Sequence, residues 1–360
     1  MMIVFAYIII GLYAVFVLVC AGAWRRRKPF TATPRTKLPS LAVVVCCRNE
    51  QERIPALLQS LSGQIMQAQE VIFANDHSTD RTEELLTNFA ANYQHVKLFN
   101  CTGLGKKNAL REAIERTGSN LIFCTDADCI LPQNHLAIIK NYMAAHQCGL
   151  LIGGVKLAHS DKLFERLQAA EFASLIAATA GAAMAAMPIM CNGANLTFTR
   201  AVWQAGKEHL NDDELSGDDV FLLHHAKRST KIDFLKAPDA FVTTTASTSL
   251  LSFFEQRKRW SSKSRAYADP QTVTVAGLVF LVAALQVGFG FAAIFLPTLW
   301  TVTVLMFCLK FLTDCLLLVP FLRFSKQEKL IPLLLPVALL YPFYIILTAI
   351  AGLFGQVRWR

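Results

Sequence analysis

Long apolar segments lie near both ends of the chain and enclose a polar stretch. Residues 2–23 contain no charged side chain, and at about 1.5 Å rise per residue such a run crosses the ~30 Å core of a bilayer. Three further apolar segments of sufficient length follow the polar stretch, at 273–296, 298–321 and 330–354. The pattern predicts one transmembrane helix, a globular region at about 37–269, and three transmembrane helices.

The first apolar segment has an alternative interpretation as a secretory signal peptide, because residues 21–23 read Ala-Gly-Ala and resemble a cleavage site. The basic cluster at 25–28 follows this segment instead of preceding it, which favours a membrane anchor. Basic flanks mark the cytoplasmic side, so a cytoplasmic globular region is predicted, at the inner or plasma membrane if the source is bacterial. The basic loop 323–329 is then also cytoplasmic, and residues 358–360 lie outside unless the last segment forms a hairpin.

Within the polar stretch, short apolar runs alternate with helical patterns. The predicted strands are 41–47, 71–74, 95–99 and 121–124, and the predicted helices are near 52–61, 82–91, 106–117 and 133–145. This alternation predicts a parallel sheet covered by helices. Ligands bind at the carboxyl ends of such strands, where polar residues follow at 48–50, 75–76 and 125–128.

The overall composition supports a membrane protein, since 54% of the 360 residues are hydrophobic and 17% are charged. The net charge of +9 suits lipid headgroups and a diphosphate, and no nucleic-acid-binding motif accompanies it. Ten cysteines are present without a C-x-x-C pair, so reduced structural thiols are expected.

Phosphate binding would depend on carboxylates here, because no glycine-rich fingerprint follows the first strand and residues 103–107 lack the pattern of a P-loop. Carboxylates and phosphates repel each other. The sequence therefore implies a bridging divalent cation, Mg²⁺ or Mn²⁺.

Four separated motifs carry the chemistry. They are Asn-Asp-His-Ser-Thr-Asp at 75–80, Asp-Ala-Asp at 126–128, Ser-Gly-Asp-Asp at 216–219, and Gln-Arg-Lys-Arg-Trp at 256–260. Each alone has an ordinary explanation: a helix cap, an acidic turn, a solvated loop that includes the acidic run 211–214, and a basic interfacial helix. Their joint presence in this order is much more specific.

Together the motifs resemble the membrane-bound members of glycosyltransferase family 2 that carry a Gln-x-x-Arg-Trp motif, over about residues 41–267. The resemblance implies an α/β, GT-A-type (Rossmann-like, mostly parallel sheet) catalytic domain with about four transmembrane helices. The expected divisions are an N-terminal transmembrane helix at 1–24, the GT-A domain at 37–248, an interfacial helix at 249–269 and three transmembrane helices at 273–354.

The resemblance also implies residue roles. Asp219 is expected to be the general base, with Asp218 beside it in place of the usual Glu, and Asp128 is expected to hold the metal. The implied donor-binding residues are Glu50, Asp76, Lys106, Asp126, Gln256, Arg259 and Trp260. The implied acceptor-side residues are Asn195 and Trp260. One departure from the family pattern is Asn75, where the family has an acidic residue.

The function implied is an inverting hexosyl transfer from a UDP-sugar to a membrane lipid. A processive polysaccharide synthase with a glycan acceptor is the alternative, and a nucleotide-binding transporter or scaffold is a third. The uncharged run 172–190 is expected to be a buried or interfacial helix on the acceptor side, because a span there would separate Asp128 from Asp219. Lys310 and Asp314 are expected to form an ion pair or to line a polar path for a chain.

Overall fold

The computed structural model describes residues 1–33, 35–211 and 217–354. Three parts of the predictions lie outside these residues: the acidic residues 212–214, Ser216 of the third motif, and the C-terminal residues 358–360.

The described residues form two compact units. We call them the sheet unit, with residues 28–33, 35–158, 190–211 and 217–245, and the helical unit, with residues 1–27, 159–189 and 246–354. Helices and strands are numbered in chain order through both units.

The sheet unit has nine strands among its described residues. They are β1 (Leu41–Cys47), β2 (Glu70–Asn75), β3 (Val96–Asn100), β4 (Leu121–Asp126), β5 (Leu150–Ile152), β6 (Val155–Ala158), β7 (Leu196–Thr199), β8 (Ile232–Phe234) and β9 (Val242–Thr245). Seven form one sheet in the order β3-β2-β1-β4-β7-β5-β8, in which β7 alone runs antiparallel to its neighbours. The other two, β6 and β9, pair in parallel.

Helices connect these strands. The sheet unit contains α2 (Ile54–Ser62), α3 (Thr82–Ala90), α4 (Lys106–Glu115), α5 (His135–His146), α7 (Arg200–Gly206) and α8 (Asp218–Ala226). The alternation of strands and helices and the mostly parallel sheet agree with the prediction.

The register of the central strands determines which residues meet at the carboxyl edge of the sheet. The first strand, Leu-Ala-Val-Val-Val-Cys-Cys, is almost wholly buried, which is typical of a strand covered on both faces. It pairs with β2 so that Cys47 lies opposite Asn75, and with β4 so that Cys46 lies opposite Asp126. The polar residues that follow these three strands therefore emerge side by side.

The five strands after β4 were not predicted from the sequence. Each is only three or four residues long, so hydrophobic periodicity has too few positions to identify it. The predicted strands and helices, in contrast, lie within about two residues of those observed, as expected for boundaries.

The helical unit contains the long apolar helices. Its described helices are α1 (Met2–Arg26), α6 (Leu163–Met184), α9 (Leu250–Ser262), α10 (Pro270–Phe295), α11 (Trp300–Phe324) and α12 (Leu334–Phe354). Within the described residues, five helices are long and apolar enough to cross a membrane, namely all of these except α9.

One of the five differs from the others. In α6, 72% of the most apolar window is buried inside the protein, against 17–33% in the other four. A Cβ on Gly181 of α6 would lie 2.6 Å from the Cβ of Cys20 in α1, so the two helices approach closely. The burial agrees with the interpretation of this region as a buried helix, although the helix ends at Met184 and residues 185–190 lie beyond it.

Polar contacts also occur between the apolar helices. Lys310 Nζ donates to Asp314 Oδ2 at 2.6 Å, as their spacing predicts, and the Tyr13 hydroxyl donates to Asp314 Oδ1 at 2.7 Å. The indole of Trp24 packs against the rings of Phe321 and Phe324. All ten cysteines of the chain are free thiols.

Candidate active site

A pocket lies at the carboxyl edge of the sheet unit. Its charged lining, within the described residues, consists of Lys106, Asp126, Asp218 and Asp219. Residues of β1, β4, β7, α4, α8 and the short turn Gly193–Asn195 line the pocket, and its charged side chains come from the end of β4, the first residue of α4 and the first turn of α8. The structure therefore brings together four of the residues that the sequence predicts for the site.

Lys106 is the cation of this pocket. Its Nζ donates to Asp126 Oδ1 at 2.6 Å. Burial alone lowers the pKa of Lys106, but the carboxylates of Asp126 and Asp218 outweigh it and raise that pKa well above its ordinary value. The side chain remains protonated at neutral pH and keeps the lining charged.

The two acidic residues of the third motif begin α8. Gly217 precedes them with φ of +98°, a conformation that favours glycine, and this turn places both carboxylates at the helix N-terminus. Negative side chains are stabilised there by the helix dipole. Asp218 is buried and Asp219 is half-buried.

Two backbone N–H groups hold the Asp219 carboxylate. Gly193 N donates to Oδ2 at 3.0 Å, and Val220 N donates to Oδ1 at 2.8 Å. A Cβ built on Gly193 would lie 3.7 Å from Asp219 Oδ2 and 3.9 Å from Lys106 Nζ, so this glycine sits between the two charged groups. No role was predicted for Gly193 from the sequence, although it lies two residues before Asn195.

Asp128 lies in the turn after β4 and is partly shielded from solvent. Thr244 Oγ1 donates to its Oδ2 at 2.9 Å. Burial, together with the nearby Asp126 carboxylate, raises the pKa of Asp128 above its ordinary value. A carboxylate in this position gains from a cation.

These residues could bind a divalent cation, provided that a substrate diphosphate supplies some of its ligands. No group of three or more His, Cys, Asp or Glu side chains arranged to hold a metal occurs among the described residues. Mg²⁺ is often held by one or two carboxylates, with substrate phosphates and waters as its other ligands. Asp128 and Asp126 supply such oxygen ligands, so the site suits a cation that arrives with a diphosphate.

Asp76, at the end of β2, is buried and fixed by backbone. Gly105 N lies 3.1 Å from both carboxylate oxygens and donates to them. Arg48 Nη1 lies 3.7 Å from Oδ2. Asn75 contacts Asn100 and Glu83 through its Nδ2, so the amide that replaces the family's acidic residue makes structural hydrogen bonds.

Glu50 follows β1 and carries a perturbed carboxyl group. Burial raises its pKa to about 7, with further contributions from Asp128 and Asp126, while Arg53 opposes the shift. Arg53 Nε lies 3.0 Å from Glu50 Oε2, although that oxygen accepts no hydrogen bond of acceptable geometry within the described chain.

Asn195 has a structural position. Its side chain is 2% exposed, and its Nδ2 donates to the carbonyls of Gly154 and Ala240. His135 Nε2 lies 3.2 Å from its Oδ1. All of its polar atoms therefore contact protein groups, and Asn195 holds the turn that presents Gly193.

The fourth motif lies on α9, in the helical unit. Gln256, Arg259 and Trp260 are half-buried on this helix, whereas Arg257 is buried. Arg257 pairs with Glu171 of α6 and its guanidinium lies 4.2 Å from the centroid of the Trp260 ring. Sequence analysis assigned no role to either member of this ion pair. One signal was available, since Glu171 is the last charged residue before the uncharged run 172–190.

Comparison with known proteins gives one family-model match, to "Glycosyl transferase family 2", over residues 42–204. Curated relatives include the poly-beta-1,6-N-acetyl-D-glucosamine synthases of Staphylococcus aureus, 28% identical over 141 residues, and of Staphylococcus epidermidis, 25% identical over 157 residues. These matches cover 39% and 42% of this chain. They span only about a third of the length of the relatives, at 34% and 38%.

A solved structure with a similar fold is the mannosyltransferase PcManGT from Pyrobaculum calidifontis, in complex with GDP-Man and Mn²⁺. It aligns with a TM-score of 0.52 and 17% identity, over 94% of this chain and 99% of that one. At this identity the likeness concerns the fold, and it supports the GT-A-type architecture expected from the sequence. The segment 42–204 therefore matches the model of glycosyl transferase family 2, and the fold that contains it is of the GT-A type.

Proposed function

We propose that this glycosyltransferase inverts the anomeric centre of a UDP-sugar donor as it transfers the sugar to a membrane lipid. The observation that carries the proposal is the pocket at the carboxyl edge of the sheet, where Lys106, Asp126, Asp218 and Asp219 converge. In an open α/β sheet this edge is the ligand-binding position.

The proposed reaction is a single displacement. Asp219 removes the proton from the acceptor hydroxyl as that oxygen forms a bond to the anomeric carbon. The bond from this carbon to the diphosphate oxygen breaks, UDP leaves with the bonding electrons, and the configuration inverts. The two backbone N–H groups that donate to Asp219 keep the carboxylate oriented toward the pocket.

The donor contacts proposed from the sequence are Glu50, Asp76, Lys106, Asp126, Gln256, Arg259 and Trp260. Lys106 places a permanent positive charge in the pocket, where it offsets part of the negative charge of the leaving diphosphate. Asp128, with Asp126, would hold Mg²⁺ or Mn²⁺. The bound cation would supply Lewis-acid neutralisation of that diphosphate.

A lipid acceptor and a membrane location are supported by the helical unit. Besides the long apolar helices, α9 exposes Leu250 (61%) and Leu251 (70%) on the same helix that bears Trp260. Such a helix suits the boundary between headgroups and acyl chains. We propose a cytoplasmic catalytic domain that ends at about 248, followed by this interfacial helix at 249–269.

A second candidate is a processive polysaccharide synthase. The observation that favours it is the likeness of the family 2 domain to relatives named as poly-beta-1,6-N-acetyl-D-glucosamine synthases. The acceptor would then be the growing glycan, and N-acetylglucosamine would be the sugar to test first.

The test uses membranes that contain the full chain, incubated with radiolabelled UDP-sugars, including UDP-N-acetylglucosamine, and with GDP-mannose as the matched alternative donor. UDP release that needs a divalent cation, with label in the lipid extract, is the expected result. Label confined to high-mass material free of lipid would refute the lipid acceptor and support the synthase. Release from GDP-mannose alone would refute the UDP donor, and the absence of release from every donor would favour a non-catalytic transporter or scaffold.

A further inference from the structure

The α6 and α9 segments contact each other through a series of matched side chains in the helical unit. The Phe164 and Phe253 rings lie 6.0 Å apart, and the Phe172 and Trp260 rings lie 5.9 Å apart. Between them, the Gln168 side chain exchanges two hydrogen bonds with the backbone of Ser247, at 2.9 and 3.1 Å. The α6 residues of this series recur at helical spacing, so one face of α6 contacts α9 and the segment before it.

Arg257 is the centre of this contact. It is 3% exposed, and its Nη2 donates to Oε2 of Glu171 at 2.5 Å; Glu171 is 6% exposed. Its guanidinium lies 4.8 Å from the centroid of Phe253 and 4.2 Å from that of Trp260. These three residues occupy positions i, i+4 and i+7 of α9, so they form one stripe along the helix.

Arg257 also contacts a second residue of the Gln-x-x-Arg-Trp motif. Its Nη1 donates to Oε1 of Gln256 at 3.1 Å. A single buried side chain therefore holds both Gln256 and Trp260, which are proposed to contact the substrates, while it is itself held by Glu171. Arg257, the second residue of the Gln-x-x-Arg-Trp motif, therefore has a structural role in this chain.

Stability alone is a poor explanation for this arrangement. Removing two charges from water costs free energy that their mutual attraction often only offsets, so an apolar pair of similar volume is usually as stable. A planar guanidinium held by a carboxylate has a fixed orientation, however, and it presents a flat face to an indole. Orientation is the property that an apolar pair would lose.

We propose that Glu171 and Arg257 are positioning residues that fix the Trp260 indole for the acceptor. The carboxylate of Glu171 orients the guanidinium of Arg257, and the guanidinium restricts the ring. This inference rests on the proposed function in one respect, namely that Trp260 contacts the sugar or acceptor.

The decisive variant replaces the whole pair, Glu171→Leu with Arg257→Met. Glu171→Gln alone would leave a buried cation without its carboxylate and is expected to unfold the helical unit. The double replacement is made in a Tyr344→Phe background, because the Tyr344 hydroxyl also bonds Glu171. It then removes both charges without leaving that hydroxyl unpaired, and it is expected to retain a melting temperature close to that of the wild type. Lys258→Gln is the matched control, because it removes a neighbouring charge from α9, whereas the cation over the Trp260 ring within the described part of the chain is Arg257.

The direct readout is ¹⁹F NMR of the full chain with 5-fluorotryptophan at its five tryptophans, with the Trp260 resonance assigned by Trp260→Phe. In the double variant this resonance is expected to shift toward that of free fluorotryptophan and to report a mobile ring. In Lys258→Gln it is expected to stay in place. The KM for acceptor is expected to rise about tenfold or more in the double variant, with a smaller change in kcat.

A charge exchange, Glu171→Arg with Arg257→Glu, separates positioning from a merely structural ion pair. It restores the attraction but puts a carboxylate against the indole, so it is expected to keep a melting temperature close to that of the wild type without recovering the Trp260 resonance. An unchanged Trp260 resonance in the double variant, or its full recovery in the exchange variant, would overturn the proposal. A shifted resonance with unchanged acceptor kinetics would uphold the positioning and would instead refute the role of Trp260 in the proposed function.

Discussion

Charged side chains are arranged differently in the two units of the protein. In the helical unit, two buried ion pairs balance their charges one to one, Glu171 with Arg257 and Lys310 with Asp314. In the pocket of the sheet unit, three carboxylates share the lining with one lysine among the described residues. A balanced pair is complete by itself, whereas an excess of carboxylates gains from a cationic ligand. We therefore expect the chemistry at the cluster of carboxylates, and orientation or packing at the balanced pairs.

The strongest test of this contrast is Asp219→Asn. The Asn carbonyl oxygen still accepts the hydrogen bond from Gly193 N, whereas the amide nitrogen cannot accept the one from Val220 N, so the variant loses one hydrogen bond together with the basicity. We expect sugar transfer to fall by about 10²–10⁴-fold, the usual contribution of a general base. The measurement is the initial rate of UDP release at saturating donor.

The matched control is Glu115→Gln, which removes a carboxylate from the exposed end of α4 in the same unit, where it pairs with Lys207. Its rate is expected to equal that of the wild type. Wild-type turnover by Asp219→Asn would show that another group is the base.

A second test concerns whether Glu50 lowers or raises the free energy of unfolding as the pH rises. Its pKa is about 7 in the folded protein against an ordinary value of 4.5, mainly because it is buried. The folded state therefore binds more protons than the unfolded state between these values, so the stability contributed by Glu50 is lost as the pH rises through about 7. Glu50→Gln removes this loss. Its free energy of unfolding in metal-free buffer should exceed that of the wild type by about 2–3 kcal/mol at pH 8, and by almost nothing at pH 4.

Glu112→Gln is the control in the same unit, because its effect on stability should change with pH in the opposite direction. The backbone N–H of Gly103 donates to Glu112, which lowers the pKa of that carboxyl, so its contribution is present above its unfolded pKa. This variant should lose stability at high pH, where Glu50→Gln gains it. Equal pH profiles for the two variants would contradict both assignments.

A smaller effect is expected at Gly105, whose N–H donates to both oxygens of Asp76. Its φ of +93° is one that L-residues avoid, so Gly105→Ala should cost about 1–2 kcal/mol in stability. Because the turn positions Asp76, we also expect weaker donor binding, measured by titration with UDP. Gly63→Ala, at φ of −66° with open space around its Cβ position, is the control and should change neither quantity.

The parts of the site that could be predicted are those set by local sequence. The alternating apolar runs placed β1, β2 and β4, and their parallel register brings Asp126 close to the end of β1. The contact of Gly193 with Asp219 spans 26 residues of chain and depends on a short turn and a helix start. The spacing of hydrophobic residues along the chain cannot predict such a contact, so only the structure shows it.

The same limit explains the residues of the helical unit. Glu171 and Arg257 are 86 residues apart, and each alone reads as an ordinary helix-surface charge. Asn195 is predicted to lie on the acceptor side, and the structure shows that its amide makes hydrogen bonds to buried backbone and to His135, which its place in the sequence does not reveal. A motif gives the position of a residue along the chain, whereas the direction of its side chain depends on long-range packing.

The smallest effect is expected in the polar network of Tyr13, Lys310 and Asp314. This network is balanced in charge and is proposed to take no part in sugar transfer, so it tests the contrast between the two units directly. Tyr13, Lys310 and Asp314 satisfy one another between α1 and α11. Replacing all three, by Tyr13→Phe, Lys310→Met and Asp314→Leu, leaves no member without a partner and should alter the melting temperature little, since such networks often give no net stability. The rate of sugar transfer should stay within about twofold of the wild type. Loss of transfer at an unchanged melting temperature would mean that this network lines a polar path for the acceptor, and it would favour the polysaccharide synthase over the lipid transferase.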